Sequence, residues 1–173
     1  MSIKINYSNK AISKSSANLV LFTDEKYSLN SIKKYLSNSE FSYINDLLKT
    51  SDLKKNMFIF EVNSKKKIVL VSIKKDLKSF DVENLGAEFY GRVNYGKNSE
   101  YFVNSDSISS KYENFTGYFL HGLKLKSYEF NKYKTKKETR LISITVLGNK
   151  NKPSSQNQLK FKALEEGIFY ARD

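Results

Sequence analysis

The sequence predicts one α/β domain with a mixed β-sheet and helices on both faces of that sheet. Short apolar runs alternate along the chain with segments whose apolar residues recur at helical spacing, which is the order of elements in an α/β protein. Two of the runs are joined by a turn-like segment, so at least one pair of strands should be antiparallel. No Gly/Ser-rich linker divides the 173 residues, a length that suits a single domain.

Six segments have the patterns expected of strands. "IKINY" (3–7) alternates apolar and polar residues, as a half-buried strand does, whereas "ANLVLF" (17–22) is continuously apolar and suits a strand covered on both faces. "NMFIFEV" and "KKKIVLVSI" flank the turn at 63–65 and form the predicted hairpin. "EYFVN" (100–104) and "LISITVLG" (141–148) complete the predicted sheet.

Four segments have helical patterns. The first follows Ser39, a candidate N-cap, and the second follows Asp81, which is another. The third is predicted over about 112–128, and its apolar face includes Phe115, Phe119 and Leu123. The last helix ends the chain. Its apolar residues at i, i+4 and i+7 are predicted to hold it against the domain: Leu164, Ile168 and Ala171.

Composition excludes several classes of protein. There is no cysteine, which excludes disulfides and thiolate metal sites, and no apolar run is long enough to span a membrane. The N-terminus lacks the pattern of a signal peptide, so we expect a cytoplasmic protein without a membrane partner. The net charge is +12, but only three of the 30 basic residues are arginine, the usual reader of phosphates and bases. A solvated lysine surface is therefore favoured over nucleic-acid binding.

Catalytic and metal-binding patterns are not found in the sequence. The only histidine, His121, lies in "YFLHGLKL" inside a predicted helix, where a packed imidazole is favoured over a general base. The adjacent Glu165 and Glu166 do not share a helix face, so they do not predict a metal site. The glycines of "GAEFYGRVNYG" also lie within a helix, where small residues favour close packing over phosphate binding. We assign no catalytic or metal-binding residue.

The densest basic tract is "YEFNKYKTKKETR" (128–140), in which cations are interleaved with aromatic residues. This pattern suits either a surface loop or a site where a phosphate backbone binds and bases stack. We favour the loop and keep a nucleic-acid-binding module as the alternative. The candidate basic surface consists of Lys132, Lys134, Lys136, Lys137 and Arg140.

Two segments resemble the leucyl (cytosol) aminopeptidase family. "FLHGLKLKSYEFNKYKTKK" (119–137) is similar to the family's N-terminal-domain signature, a helix ending in G-x-x-L-x-S-Y-x-F followed by a D/N-K-Y-K-T/S-K-K run. "ALEEGIFYARD" (163–173) is similar to the family's connecting helix, A-x-x-E-G-x-x-x-A-R-D. Its matching positions include Gly167, Ala171, Arg172 and Asp173. The resemblance covers essentially the whole chain, but only about the N-terminal third of a family member.

The resemblance implies a macro-domain-like three-layer α/β/α sandwich. Residues 1–155 would form a non-catalytic N-terminal domain, and residues 156–173 would begin the helix that connects it to a catalytic domain absent from this chain. Some bacterial members bind DNA, which agrees with the alternative above. Macro-like architecture also suggests ADP-ribose binding, but the sequence lacks a glycine-rich phosphate loop.

The resemblance also implies the activity of a longer protein. Family members are cytoplasmic metallopeptidases that remove N-terminal residues, preferably leucine, from peptides. Two divalent cations, manganese or zinc, lie in their C-terminal domain and activate a water molecule. The N-T-D-A-E-G-R motif that carries part of the metal ligands has no match here, so the isolated chain is expected to lack activity and cofactors of its own. Its partners would be its own catalytic domain and the other subunits of a homohexamer, where it would shape subunit contacts or access.

Overall fold

A computed structural model describes residues 3–10, 18–95, 99–109, 112–128 and 141–172. The strands are β1 (Ile3–Ser8), β2 (Asn18–Asp24), β3 (Met57–Asn63), β4 (Lys66–Ile73), β5 (Ser99–Asn104) and β6 (Ile142–Leu147). The α-helices are α1 (Asn38–Lys49), α2 (Ser79–Val93), α3 (Phe115–Lys126) and α4 (Ser155–Arg172). Short 3-10 turns occur at Leu29–Ser31, Lys33–Tyr35 and Ser105–Ser107. Within these ranges, no helix combines the length and the apolar character that crossing a membrane requires.

The strands form one mixed sheet in the order β1-β6-β5-β2-β4-β3. The β3–β4 pair is antiparallel, as the predicted hairpin requires, and the other neighbouring strands are parallel. Because successive side chains of a strand point to opposite faces, Val20 and Phe22 of β2 enter one core and Leu19 and Leu21 enter the other. The prediction that this strand is covered on both faces is confirmed.

Helices cover both faces of the sheet. On one face, α2 and α3 contribute Phe89 and Phe119 to the larger core, and Phe22 meets the Phe119 ring edge-on at 5.4 Å between ring centroids. On the other face, Ile44 and Leu48 of α1 pack with side chains from the first two 3-10 turns and from β2, β3 and β4. The predicted α/β class and three-layer α/β/α arrangement are therefore confirmed.

Glycines allow α2 and α3 to approach each other closely. A Cβ atom added to Gly86 of α2 would lie 1.9 Å from the carbonyl oxygen of Phe119, and one added to Gly122 of α3 would lie 1.9 Å from that of Glu83. Close packing was the predicted role of the glycines in this stretch, and it is confirmed for Gly86. It is wrong for Gly91, which has no neighbour within 4 Å of an added Cβ.

Two predicted helix starts need correction. The N-cap of α1 is Ser37 rather than Ser39: the Ser37 hydroxyl accepts from the Glu40 N–H, and the Glu40 carboxylate accepts from the Ser37 N–H. This reciprocal pair is a capping box, which satisfies two backbone donors at once. Asp81 lies inside the first turn of α2, where its carboxylate accepts from the Lys78 N–H at 2.8 Å.

Candidate functional site

Helix α4 packs against α3 through a face that the sequence did not predict. The Phe161 ring lies against Tyr118 and His121, with ring centroids 5.2 Å and 5.1 Å apart. An added Cβ on Gly117 would lie 2.7 Å from this ring, so the glycine leaves the space that Phe161 fills. Leu164 of the predicted stripe is 47% exposed and Ala171 is also exposed, so the prediction that this stripe holds the helix against the domain is wrong.

The buried centre of this contact is a charged side chain. Glu165 of α4 is only 3% exposed, and both of its carboxylate oxygens have partners on α3. Oε1 lies 2.9 Å from His121 Nδ1, and Oε2 accepts from Lys124 Nζ at 2.8 Å. His121 and Lys124 can both reach Glu165 because residues three apart share a helix face. An ionised carboxylate only accepts hydrogen bonds, so Nδ1 carries a proton and Nε2 remains for other partners.

A small cavity of about 160 Å³ lies beside this cluster, between β1, α3 and α4. Tyr7 of β1 lines it, and although 38% of that residue is exposed, desolvation and the nearby Glu165 carboxylate raise the pKa of the phenol to about 12. The hydroxyl therefore stays protonated at neutral pH and can donate. The remaining lining combines apolar and polar side chains: Ile5, Leu120, Pro153, Phe161, Gln158 and Lys162.

His121 and Glu165 form a carboxylate–histidine pair, one part of an acid–base relay. A histidine oriented by a carboxylate can act as a base, but it then needs a nucleophile or a bound water to activate. The described side chains around this cavity include no serine, threonine or cysteine. Across the described ranges, no group of three or more His, Cys, Asp and Glu side chains is placed to hold a metal ion.

The two segments that carry the aminopeptidase resemblance meet at this site. His121 and Lys124 belong to the first segment, and Glu165 belongs to the second. Just beyond the cluster, the Tyr128 ring stacks on Phe169 with centroids 4.9 Å apart and an angle of 17° between the planes. The Arg172 guanidinium lies 5.7 Å from the centre of the Tyr128 ring. The two segments thus form one continuous contact, in which Tyr128 and Arg172 occupy motif positions and Glu165 occupies a variable one.

Sequence reasoning located His121 correctly as a packed side chain but missed its partner. Glu165 is 44 residues away along the chain, and its neighbour Glu166 does not share its helix face. One feature of the sequence is consistent with this pairing. His121 and Lys124 are three residues apart on α3, where both can donate to a carboxylate on α4. The candidate basic surface, Lys132 to Arg140, lies outside the described residues, so its role as a site stays a prediction.

The carboxyl ends of β5 and β6 form a second polar region. Ligands of open α/β sheets bind at this edge, so a nucleotide site would be expected here. Asp106 Oδ1 accepts from the N–H groups of Asn149 and Lys150 at 2.9 Å and 2.7 Å, and Asn151 donates to the carbonyl oxygens of Ser105 and Ile108. The side chains of Asp106 and Asn151 are therefore used to stabilise the loop after β6.

Comparison with known proteins gives similarity at the level of fold. No protein-family model matches the sequence, and no curated protein matches it. A mutant of tomato leucine aminopeptidase matches with a TM-score of 0.61 and 16% identity, over 97% of this chain and 36% of that chain. Cytosol aminopeptidase from Coxiella burnetii matches with a TM-score of 0.55 and 11% identity, over 94% of this chain and 31% of that chain.

The chain shares its fold with part of these aminopeptidases. It spans about a third of the length of each of these two structures. At 16% and 11% identity, the similarity concerns the fold alone. The shared fold supports the resemblance to leucyl aminopeptidases at the level of fold.

Proposed function

We propose that this chain is a non-catalytic domain equivalent to the N-terminal domain of a leucyl aminopeptidase. One observation supports this most strongly: the two motif segments that suggested the family, far apart in sequence, meet around Glu165 within a fold that matches an aminopeptidase over 97% of the chain. The buried cluster of Glu165, His121 and Lys124 then has a structural role. It fixes α4, the proposed connecting helix, in a defined orientation on the domain.

In this proposal, catalysis belongs to a further domain of the complete protein. That domain would release N-terminal residues, preferably leucine, by using two manganese or zinc ions to activate water. The protein would be cytoplasmic and hexameric, and the present domain would contribute subunit contacts or control access.

The outward face of α4 suits such an arrangement. Leu159, Leu164 and Tyr170 are 68%, 47% and 86% exposed, and none of the described residues covers them. An added Cβ on Gly167 has no neighbour within 4 Å, so a partner surface could approach the helix backbone closely there. The occupant we propose is the catalytic domain, since aminopeptidases of this fold are about three times as long as this chain.

Activity measurements test the proposal. The chain should not hydrolyse leucine p-nitroanilide in the presence of manganese or zinc, whereas a complete leucine aminopeptidase under the same conditions provides the positive control. Calorimetric titration with manganese should show no stoichiometric binding. Metal-dependent turnover that co-purifies with the folded chain would refute the non-catalytic assignment.

A second candidate function is nucleic-acid binding, which the net charge of +12 favours. Changing Lys134, Lys136 and Lys137 to glutamate should then abolish DNA binding at low salt. Changing Lys33, Lys34 and Lys49 to glutamate alters the net charge equally and provides the control. Equal losses in both variants would indicate attraction to overall charge, and no binding by the parent chain would exclude the candidate.

A further inference from the structure

The outer edge of β3 is open to a further strand. β3 lies at one end of the sheet, and among the described strands it pairs with β4 alone. The Ser72 N–H donates to the carbonyl oxygen of Asn56 at 2.9 Å, and bonded and non-bonded residues alternate along an antiparallel pair. Every second residue from Asn56 onwards therefore bonds to β4. The backbone N–H and C=O groups of Met57, Ile59 and Glu61 point away from the sheet.

Two long side-chain contacts hold the ends of this edge and leave its centre unused. Arg92 contacts the carbonyl oxygen of Met57, and the Tyr43 hydroxyl donates to that of Glu61, both at 3.4 Å. These distances are longer than those of most protein hydrogen bonds. Between them, the N–H and C=O groups of Ile59 form no hydrogen bond with any described residue. An edge strand in this state is a template on which another strand can pair.

The space beside the edge can accept that strand. A concavity of about 380 Å³ lies along β3 on the side of α2, and its lining includes Ile59, Arg92 and Tyr95. Tyr95 is 75% exposed, and an added Cβ on Gly91 would have no neighbour within 4 Å. The end of α2 therefore does not obstruct the edge.

The residues of β3 complement those of a second copy of the same strand. When two copies are placed antiparallel with Ile59 opposite Ile59, Met57 of each copy lies opposite Glu61 of the other, so all three outward residues are paired. On the face toward α1, Phe58 lies opposite Phe60 of the other copy. This extends the stack that the two rings already form at 5.9 Å between centroids. Cross-strand aromatic pairs of this kind stabilise a sheet.

Charge favours the same alignment. Glu61 lies beside Arg92 of the other copy, because Arg92 contacts the Met57 carbonyl at that end of the strand. Both side chains already have partners, Lys67 for Glu61 at 3.4 Å and Glu88 for Arg92 at 2.6 Å, so the charges select the alignment more than they add affinity. Centring the pair on Glu61 would place two carboxylates opposite each other, next to the register shift at the end of β3.

We propose that β3 is a self-association edge, through which two copies of this chain form a twofold-symmetric dimer with one continuous sheet. The partner is a second copy rather than an unrelated strand because the apolar and charged residues of β3 match those of the same strand in reverse. The net charge of +12 on each chain opposes the contact, and the shared edge from Met57 to Glu61 is short. Association is therefore weak, and it strengthens as salt screens the repulsion. This inference does not depend on the proposed aminopeptidase relationship.

Analytical ultracentrifugation of the purified chain measures the association. Between about 10 µM and about 1 mM chain, we expect a monomer–dimer equilibrium with a dissociation constant of about 0.1–1 mM, as for a small and transient contact. Raising the NaCl concentration from about 0.1 M to about 0.5 M should lower the dissociation constant at least about twofold, because the Debye length shortens.

A single introduced cysteine tests the alignment itself, because the chain has none of its own. In the proposed dimer, the two Ile59 Cα atoms are about 5.5 Å apart, which is within the range that a disulfide spans. Ile59→Cys should therefore form a disulfide-linked dimer under mild oxidation. Each Glu61 lies opposite Met57, so the two copies of Glu61 are about 13 Å apart along the shared edge. Glu61→Cys, the matched control, should cross-link at least about tenfold more slowly.

Three further variants test the edge without a cross-link. Ile59→Pro removes an N–H that faces away from β4, so it should block dimerisation without breaking the β3–β4 ladder, and circular dichroism checks its folding. Glu61→Lys places like charges beside Arg92 of the other copy and should raise the dissociation constant about tenfold. Glu166→Lys makes the same change of charge on α4, near the opposite edge of the sheet, and should change the dissociation constant by less than about twofold.

Several results would overturn the proposal. A chain that stays monomeric at about 1 mM at both salt concentrations does not use β3 for self-association. A dimer that persists in the folded Ile59→Pro variant uses another surface, such as the exposed face of α4. Cross-linking of Glu61→Cys as fast as that of Ile59→Cys would refute the alignment. Equal effects of Glu61→Lys and Glu166→Lys would show that only the overall charge matters.

Discussion

Replacing Gly86 by alanine would place a methyl group against the backbone of the neighbouring helix. The added Cβ would lie 1.9 Å from the carbonyl oxygen of Phe119, 2.8 Å from its carbonyl carbon and 3.0 Å from the backbone nitrogen of Leu123. All three atoms belong to the backbone of α3, which cannot rotate away as a side chain would. The helices must therefore separate by about 1 Å or more to restore ordinary van der Waals distances.

In Gly86→Ala, the free energy lost through overpacking should exceed the free energy gained from the higher helix propensity of alanine. Alanine stabilises a helix interior by about 1 kcal/mol relative to glycine, whereas overpacking a well-packed contact typically costs about 1–3 kcal/mol or more. Separation of α2 and α3 also loosens Phe89 and Phe119, which are fully buried in the larger core. We expect a net loss of about 2 kcal/mol in the free energy of unfolding, or a fall of about 5 °C in Tm.

Urea unfolding of Gly86→Ala and Gly91→Ala measures this directly. Gly91 lies in the same helix, but an added Cβ there has no neighbour within 4 Å. This control variant should gain about 0.5–1 kcal/mol, because only the propensity of alanine acts. Equal stability of the two variants would refute the close contact between α2 and α3.

Three further predictions concern the buried charges and α4. Lys66→Met leaves Glu40, paired with it at 2.6 Å and largely buried, without its cation, and should cost about 3–5 kcal/mol in urea unfolding. Burial opposes ionisation of Glu40, but hydrogen bonds from Lys66 and Ser37 and the Lys66 charge lower its pKa below 4.5. Its contribution to stability is therefore present above about pH 4.5 and lost as pH falls through the lowered pKa, and Glu40→Gln should flatten this dependence. Phe161→Ser should lower Tm by several degrees, whereas Leu159→Ser, on the exposed face of α4, should change the free energy of unfolding by less than about 0.5 kcal/mol.

Much of the fold could be predicted from the sequence because local patterns determined it. The continuous apolar run of β2 and the hairpin of β3 and β4 follow from side-chain alternation and turn residues, and both are confirmed. The start of α1 was predicted two residues too late, because Ser37 and Ser39 both suit an N-cap. Only Ser37 has a glutamate three residues later, the second half of a capping box.

The candidate site could be predicted only in part because its contacts are non-local. An apolar stripe at Leu164, Ile168 and Ala171 suggested the buried face of α4, but the helix packs through Phe161 and Glu165 instead. Glu165 replaces an apolar contact because His121 and Lys124 satisfy its charge, and that pairing depends on tertiary structure. Helical periodicity alone cannot reveal a buried carboxylate with such partners.

The most direct test of the proposed function is an assay of the purified, folded chain with leucine p-nitroanilide and manganese. The proposed N-terminal-type domain should show no release of p-nitroaniline above that of the buffer, while a complete leucine aminopeptidase assayed alongside it is active. Turnover by the chain that requires manganese and disappears on chelation would contradict the proposal.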